Sequence, residues 1–178
     1  MLTAPDLPEP GEQSLDDRRR ISRQFIIHAR EELEKGNRLQ AGEKAWGAVV
    51  QPLKAIAEQR GWRHQSHRDI HNVGLQILAE DPDVDLQDAI SEAYRVGHEN
   101  FYENHRHPEE LAEMLDKVKD VMPILVSLPD LPPRPFTIVS NTQLRRLRSL
   151  TGDDSLQLGD TSAVGFSLKH GPGNDGTD

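Results

Sequence analysis

The feature that most constrains this fold is a long segment, residues 38–59, whose apolar side chains recur at the spacing of an α-helix. The apolar face is wide enough to pack against several neighbours, so we predict that this is the central helix of a helical bundle. Pro52 lies within the segment and predicts a kink near Ala48, while Gly47 is small enough for another helix to approach. The apolar face comprises Leu39, Ala45, Trp46, Val49, Val50, Leu53, Ile56 and Ala57.

Four more segments carry helix signals with recognisable starting residues. Ser14 is a good N-cap for a first helix, and Ser66 with Asp69 three residues later forms a capping pattern for a third. Pro108 suits the first residue of a late helix, because a proline there loses no hydrogen bond. The predicted helices run over about 14–35, 38–59, 66–80, 83–105 and 108–128.

These helices predict an all-α fold, an antiparallel four- or five-helix bundle over residues 14–128. Residues 1–13 are rich in proline and acidic residues, which predicts a disordered N-terminus. Four prolines between 129 and 135 predict an extended linker. A short basic helix is expected over 141–150, followed by a flexible tail, so residues 129–178 are predicted to lie outside the bundle.

Charge and composition limit the classes of function. The net charge of −9 predicts no bulk attraction to nucleic acid, so any such contact needs a local basic patch. The sequence has no cysteine, no apolar run that could cross a bilayer and no secretory signal, and we expect a cytoplasmic protein without membrane contact. No glycine-rich phosphate loop is present, and we expect no cofactor and no metal.

The basic run Arg18-Arg19-Arg20, together with Arg23, lies on the first turns of the first helix. We interpret it as a solvated face paired with Asp16 and Asp17. The alternative is a patch that contacts phosphate.

The predicted fourth helix carries a polar stripe between its apolar face and its acidic face. Arginine can hold a phosphate and histidine can move a proton, so this stripe has the groups needed to cleave RNA through its 2′-hydroxyl without a metal. The alternative is an ordinary polar interface in which Arg95 pairs with a neighbouring acid. The candidate catalytic residues are Arg95, His98, Tyr102 and His105.

The loop before the third helix is the most basic part of the predicted bundle, and it is a candidate site for RNA or nucleotides. In this hypothesis Trp62 stacks on a base; the alternative is that it packs against the second helix and the charges are solvated. His67 and His71 also have the spacing of metal ligands, with His64 nearby, and a metal site is a third hypothesis. The candidate binding residues are Arg60, Trp62, Arg63, His64, His67 and Arg68.

Two stretches carry a family resemblance: AREELEKGNRLQAGEKAWGAVVQPLKAIAEQRGWRHQSHRD, from Ala29, and HENFYEN, from His98. Their Glu-Lys-x-Trp-Gly-Ala centre, Gly-Trp-x-His-x-Ser-His-Arg loop and late Asn-Phe-Tyr-Glu resemble the HEPN superfamily, and within it the PaREP-type branch. The resemblance covers about residues 15–127.

The resemblance implies an antiparallel bundle, often a homodimer formed through its later helices. Many relatives are metal-independent ribonucleases or nucleotide binders, encoded beside a nucleotidyltransferase or in defence and toxin–antitoxin systems. Their catalytic motif is an arginine followed after a short interval by a histidine at the dimer seam. Here Arg95 is too close to His98 and too far from His105, whereas Arg60 and His67 fit the interval but lie in the loop.

Two functional hypotheses follow. In the first, the chain is a dimeric HEPN-like bundle that acts on RNA or nucleotides, as a metal-independent endoribonuclease with a degenerate motif. In the second, it is a non-catalytic dimeric module that binds a protein partner such as a nucleotidyltransferase. The net acidity favours the second hypothesis, because domains that bind RNA are usually basic.

Overall fold

The computed structural model describes residues 13–80, 84–98, 107–130, 134–163 and 165–167, without the side chains of 84 and 96–98. The fold is mostly helical, which confirms the predicted all-α class. A two-residue antiparallel ribbon, β1 (Phe136–Thr137) with β2 (Thr161–Ser162), pairs Phe136 with Ser162. The α-helices in the described part are α1 (Leu15–Glu34), α2 (Arg38–Gln59), α3 (His67–Glu80), α4 (Val84–Glu92), α5 (Pro108–Ser127) and α6 (Asn141–Thr151). None of them is long and apolar enough to cross a membrane.

The predicted helix starts are confirmed at three positions. The Ser14 hydroxyl accepts a hydrogen bond from the Asp17 amide at 3.1 Å, which satisfies one of the free donors at the start of α1. Ser66 and Asp69 cap one another at the start of α3, at 3.0 and 3.1 Å. Pro108 is the first residue of α5.

α2 is the central helix, as its apolar face predicts. It contacts α1, α3, α5 and the segment that follows α4, and it continues through Pro52 from Arg38 to Gln59. α1 approaches α2 closely at Gly47, where an added Cβ would lie 2.9 Å from the Phe25 ring. Nearby, the buried Ser22 hydroxyl donates to the Ala48 carbonyl at 2.6 Å, so α1 and α2 are fixed by packing and by a hydrogen bond.

The α-helical part of the fourth helix ends earlier than predicted, at Glu92, and gives way to a π-helical segment over Ala93–His98. In a π-helix the hydrogen bonds span five residues instead of four, so side chains no longer follow the α-helical wheel. The stripe predicted from that wheel therefore does not extend unchanged through Arg95 and His98. The remainder of the predicted helix, residues 99–105, lies outside the described residues.

The chain beyond Pro129 is a second difference from the prediction. The basic helix is present as α6, with Ser140 as its N-cap, but the described residues of β1 and α6 pack on the bundle instead of lying outside it. The composition of this region did not predict its packing, because its few apolar residues are spaced among arginines, glycines and acids. The C-terminal residues that join the main hydrophobic core are Phe136, Ile138, Leu147, Leu150 and Leu156.

Candidate functional site

Arg95, the first predicted catalytic residue, lies on the π-helical segment and is half exposed. One of its terminal nitrogens donates to both carboxylate oxygens of Glu92, at 2.9 Å each. This is the alternative anticipated for Arg95, a pair with a neighbouring acid. The side chain of His98 is not described, and Tyr102 and His105 lie outside the described residues.

Beside Arg95, three rings join the π-helical segment to two other helices. Tyr94 stacks on His71 of α3 with ring centroids 3.9 Å apart and planes within 6° of parallel. The Tyr94 ring also meets Trp46 of α2 edge to face at 5.3 Å. Single π-helical turns occur frequently at functional sites, which makes the segment Ala93–His98 a candidate for a functional role. No sequence pattern predicts this cluster, because its three rings come from separate segments of the chain.

Two of the predicted binding residues, Arg60 and Trp62, point into the protein. Trp62 is only 2% exposed, and its indole N–H donates to the Phe166 carbonyl at 2.6 Å. The Arg60 guanidinium lies over the Trp62 ring at 4.7 Å and donates to Glu80 at 2.6 Å. The prediction that Trp62 stacks on a base is therefore wrong. The ring belongs to the hydrophobic core, and its N–H is bound by the C-terminal segment.

Glu80 is the centre of a buried polar network. Its carboxylate, 4% exposed, accepts from Arg60 and also from the Gln76 amide at 3.0 Å, and Gln76 accepts in turn from Arg146 of α6 at 3.1 Å. Burial lowers the pKa of the Arg146 guanidinium, and the nearby Glu80 carboxylate opposes that change. The network is structural, since it satisfies charges between α3, the loop and α6.

A second network fixes His64. The buried Arg18 guanidinium donates from two nitrogens to the two carboxylate oxygens of Glu58, and also to Gln51 at 3.0 Å. The Nδ1 atom of His64 donates to the Trp62 carbonyl at 2.8 Å, and its Nε2 lies 3.5 Å from a Glu58 oxygen. Arg18 is thus not part of a solvated face, whereas Arg19 and Arg20 pair with Asp16 and Asp17 as expected.

The other loop residues, Arg63, His67 and Arg68, are exposed. The Arg63 amide donates to the Leu150 carbonyl at 2.9 Å, so this loop adjoins the end of α6. Arg145 is exposed on α6, and among the described residues the side chains of Arg63, Arg68 and Arg145 form no ion pair. Nowhere among the residues that the structure describes are three or more His, Asp or Glu side chains arranged to hold a metal ion.

Comparison with known proteins identifies one family. Residues 17–122 match the family described as the archaeal PaREP1/PaREP8 family. No curated protein and no solved structure matches the chain. The matched range includes the loop and the π-helical segment, and it ends before α6, which carries Arg145, and before Phe166, whose carbonyl accepts from Trp62.

Proposed function

We propose a function for this chain on the premise that it belongs to the archaeal PaREP1/PaREP8 family. The proposal is that it is a HEPN-like, homodimeric helical domain that binds RNA or nucleotides. Its cleavage activity would be that of a metal-independent endoribonuclease of a defence or toxin–antitoxin system.

The observation that carries this proposal is the contact between the basic loop and the end of α6, both of which carry exposed arginines. Arg63 and Arg68 come from the loop and the start of α3, and Arg145 comes from a helix some eighty residues later. A planar guanidinium can donate two parallel hydrogen bonds to a phosphate, and these three have no carboxylate partner among the described side chains. On a chain with a net charge of −9, such a group provides the local positive charge that a polyanion needs.

Cleavage in this proposal uses the π-helical segment. Arg95 binds the scissile phosphate and stabilises the negative charge that develops on it, after the phosphate displaces Glu92. His98 or His105 removes the proton from the 2′-hydroxyl, which attacks the adjacent phosphorus, and an acid protonates the leaving 5′-oxygen. The products are a 2′,3′-cyclic phosphate and a 5′-hydroxyl, and Tyr102 contributes a hydrogen bond to the phosphate.

A second candidate function is a non-catalytic module that binds a protein partner such as a nucleotidyltransferase. The pairing of Arg95 with both oxygens of Glu92 favours this candidate, because it leaves the arginine engaged when no substrate is bound. The burial of Arg60 and Trp62 favours it as well, since it removes two groups from the predicted RNA surface.

The two candidates are separated by an RNA cleavage assay. Purified protein is incubated with total transfer RNA, with and without EDTA, beside Arg95→Ala and His98→Ala variants. Arg20→Ala is a matched control, because Arg20 forms a similar exposed pair with an acid three residues earlier, Asp17. Ribonuclease function predicts cleavage that survives EDTA, is lost in Arg95→Ala and is kept in the control. Loss in His98→Ala as well assigns the proton transfer to His98, and retention assigns it to His105.

Two other outcomes would contradict this mechanism. Cleavage that EDTA abolishes would indicate a metal-dependent activity. A folded protein that neither cleaves nor binds transfer RNA would favour the module that binds a protein partner. In that case the partner would be sought first among nucleotidyltransferases encoded near this gene.

A further inference from the structure

A groove between α1 and α5 lies outside the loop, the π-helical segment and α6. It consists of two adjoining hollows of about 600 and 340 Å³, which share Arg23, Pro123 and Val126 in their walls. On α1 the walls run from Asp16 to Ile27, which corresponds to about 16 Å along the helix axis. One turn beyond Ile27, Arg30 pairs with Asp116 at 2.5 Å and joins α1 to α5.

The smaller hollow has an apolar lining, which forms the floor of the groove. Its walls are formed by Ile26 and Ile27 on α1 and by Met122, Pro123 and Val126 on α5. Ile27 is 57% exposed, and Pro123 is exposed as well, so apolar side chains face the groove without a covering element in the described part of the chain. Burying such side chains against a second apolar surface is favourable, and this floor suits an apolar stripe.

The rim of the groove is basic. The two hollows contain four cationic side chains, Arg19, Arg20, Arg23 and Lys119, against two carboxylates, Asp16 and Asp130. Arg19 is held by Asp16, Asp130 and the Val126 carbonyl, and Arg20 is held by Asp17. Arg23 and Lys119 form no ion pair with any described residue, and they lie on opposite walls of the apolar floor.

We propose that this groove binds an amphipathic α-helix of a partner protein, with an apolar stripe flanked by acidic residues. The apolar stripe packs on Ile27 and Pro123, while the acids meet Arg23 and Lys119. A helix of about three to four turns matches the length of the walls. The proposal is independent of the RNA function, since none of these residues belongs to the loop or to α6.

Charge and polarity argue against two other occupants. A second copy that placed the same groove face to face would bring Arg23 and Lys119 toward their own counterparts, and like charges repel. RNA would place phosphates and sugars on an apolar floor that offers them no hydrogen bonds. An acidic amphipathic helix supplies apolar side chains to the floor and carboxylates to Arg23 and Lys119.

The test uses the full chain and a designed fluorescent peptide of 15 residues, with leucines at helical positions i, i+3, i+4 and i+7 and glutamates on both sides of that stripe. A control peptide carries glutamine in place of every glutamate, and binding is measured by fluorescence anisotropy. We expect the acidic peptide to bind, the glutamine peptide to bind about tenfold more weakly, and Ile27→Asp to abolish binding.

The charged rim is tested by reversal and rescue. The double variant Arg23→Glu/Lys119→Glu should lose at least about tenfold in affinity for the acidic peptide and should gain affinity for a peptide with lysines in place of the glutamates. Arg145→Glu is the matched control, because Arg145 is also an exposed arginine without an ion pair in the described structure, and it should bind normally.

Several outcomes would overturn the proposal. These are no binding of the acidic peptide, equal binding of the glutamine peptide, or binding that the double variant leaves unchanged. A dimer that dissociates in the double variant would assign the groove to a second copy. Loss of transfer-RNA binding in the double variant would assign the groove to RNA. Unchanged circular dichroism and melting temperature of the variants exclude misfolding as the cause.

Discussion

Among the carboxylates in the described part of the chain, Glu80 is the one that is buried. It is a buried acid that accepts hydrogen bonds from Arg60 and Gln76, and a second guanidinium, that of Arg146, lies close to it. Removing a charge from water costs several kcal/mol unless hydrogen bonds and opposite charges compensate it. For Glu80 this compensation comes from Gln76 on the same helix, from Arg60 in the loop and from Arg146 on α6. Glu80 therefore links the loop, α3 and α6.

We expect Glu80→Gln to lower the free energy of unfolding by about 3 kcal/mol, because Arg60 and Arg146 would then be partly buried without a counter-charge. Urea denaturation monitored by circular dichroism measures the change. Glu92→Gln is the control: it breaks the exposed pair with Arg95 and should change stability by less than about 1 kcal/mol. Equal losses in the two variants would show that burial does not set the strength of the Glu80 network.

At the element scale, the close approach of α1 to α2 depends on the absence of a side chain at Gly47. A Cβ there would lie 2.9 Å from two carbons of the Phe25 ring, closer than van der Waals contact allows. At Gly74 of α3 an added Cβ would meet Ile90 and Leu53 at 3.4 and 3.5 Å, which is ordinary contact.

Gly47→Ala should therefore destabilise the protein by about 1–3 kcal/mol through overpacking, despite the better helix propensity of alanine. Gly74→Ala should be neutral or slightly stabilising, since it gains propensity without a clash. Thermal unfolding of both variants provides the comparison. A further substitution, Phe25→Leu, should recover part of the loss at Gly47, and a lack of recovery would contradict the clash with the ring.

α6 is the element whose role the sequence predicted least well. Leu150 is fully buried and belongs to the main core, whereas Leu158 is 51% exposed. Leu150→Ala should lower the free energy of unfolding of the whole chain by about 2–5 kcal/mol, and Leu158→Ala should change it by less than about 0.5 kcal/mol. If denaturation of the Leu150 variant left the main transition unchanged, α6 would be a separate unit and not part of the core.

The predictable and unpredictable parts of the fold differ in the range of the interactions that determine them. α1, α2, α3 and α5 follow from caps and from apolar spacing, which act within a few residues along the chain. The π-helical segment was not predictable, because an α-helical wheel assumes one hydrogen-bonding pattern throughout. Packing of Trp62 was an alternative from the sequence, but the acceptor of its indole N–H was not predictable, since Phe166 is 104 residues away in sequence. The basic character of the loop was predictable, because it follows from neighbouring residues in the sequence. The inward direction of Arg60 was not, because it depends on the ion pair with Glu80, twenty residues later.

At the scale of the whole molecule, the net charge of −9 opposes association with a polyanion, and the exposed arginines act against this background. Binding of RNA should therefore depend steeply on salt concentration, since each phosphate contact releases counterions. The number of contacts can be obtained from the slope of the affinity against salt concentration, both on logarithmic scales.

We expect Arg63→Ala, Arg68→Ala and Arg145→Ala each to weaken RNA binding and to reduce the magnitude of that slope by about 0.7, the value for one contact to a single strand. Anisotropy of a labelled RNA over a series of salt concentrations measures both quantities. Arg20→Ala, which removes an arginine already paired with Asp17 on α1, should leave the slope unchanged. A slope that none of the three loop and α6 variants alters would place the RNA contact elsewhere on the protein.

The hydrogen bond from Trp62 to Phe166 also has a consequence for synthesis on the ribosome. Proteins emerge from the N-terminus, so α1 and α2 are available to pair while the segment that covers Trp62 has not yet been translated. The indole N–H therefore cannot reach the Phe166 carbonyl until that residue has been added and has left the ribosomal exit tunnel. A nascent chain that has not yet placed residue 166 outside the ribosome should therefore show more red-shifted tryptophan fluorescence than a chain in which residue 166 has emerged.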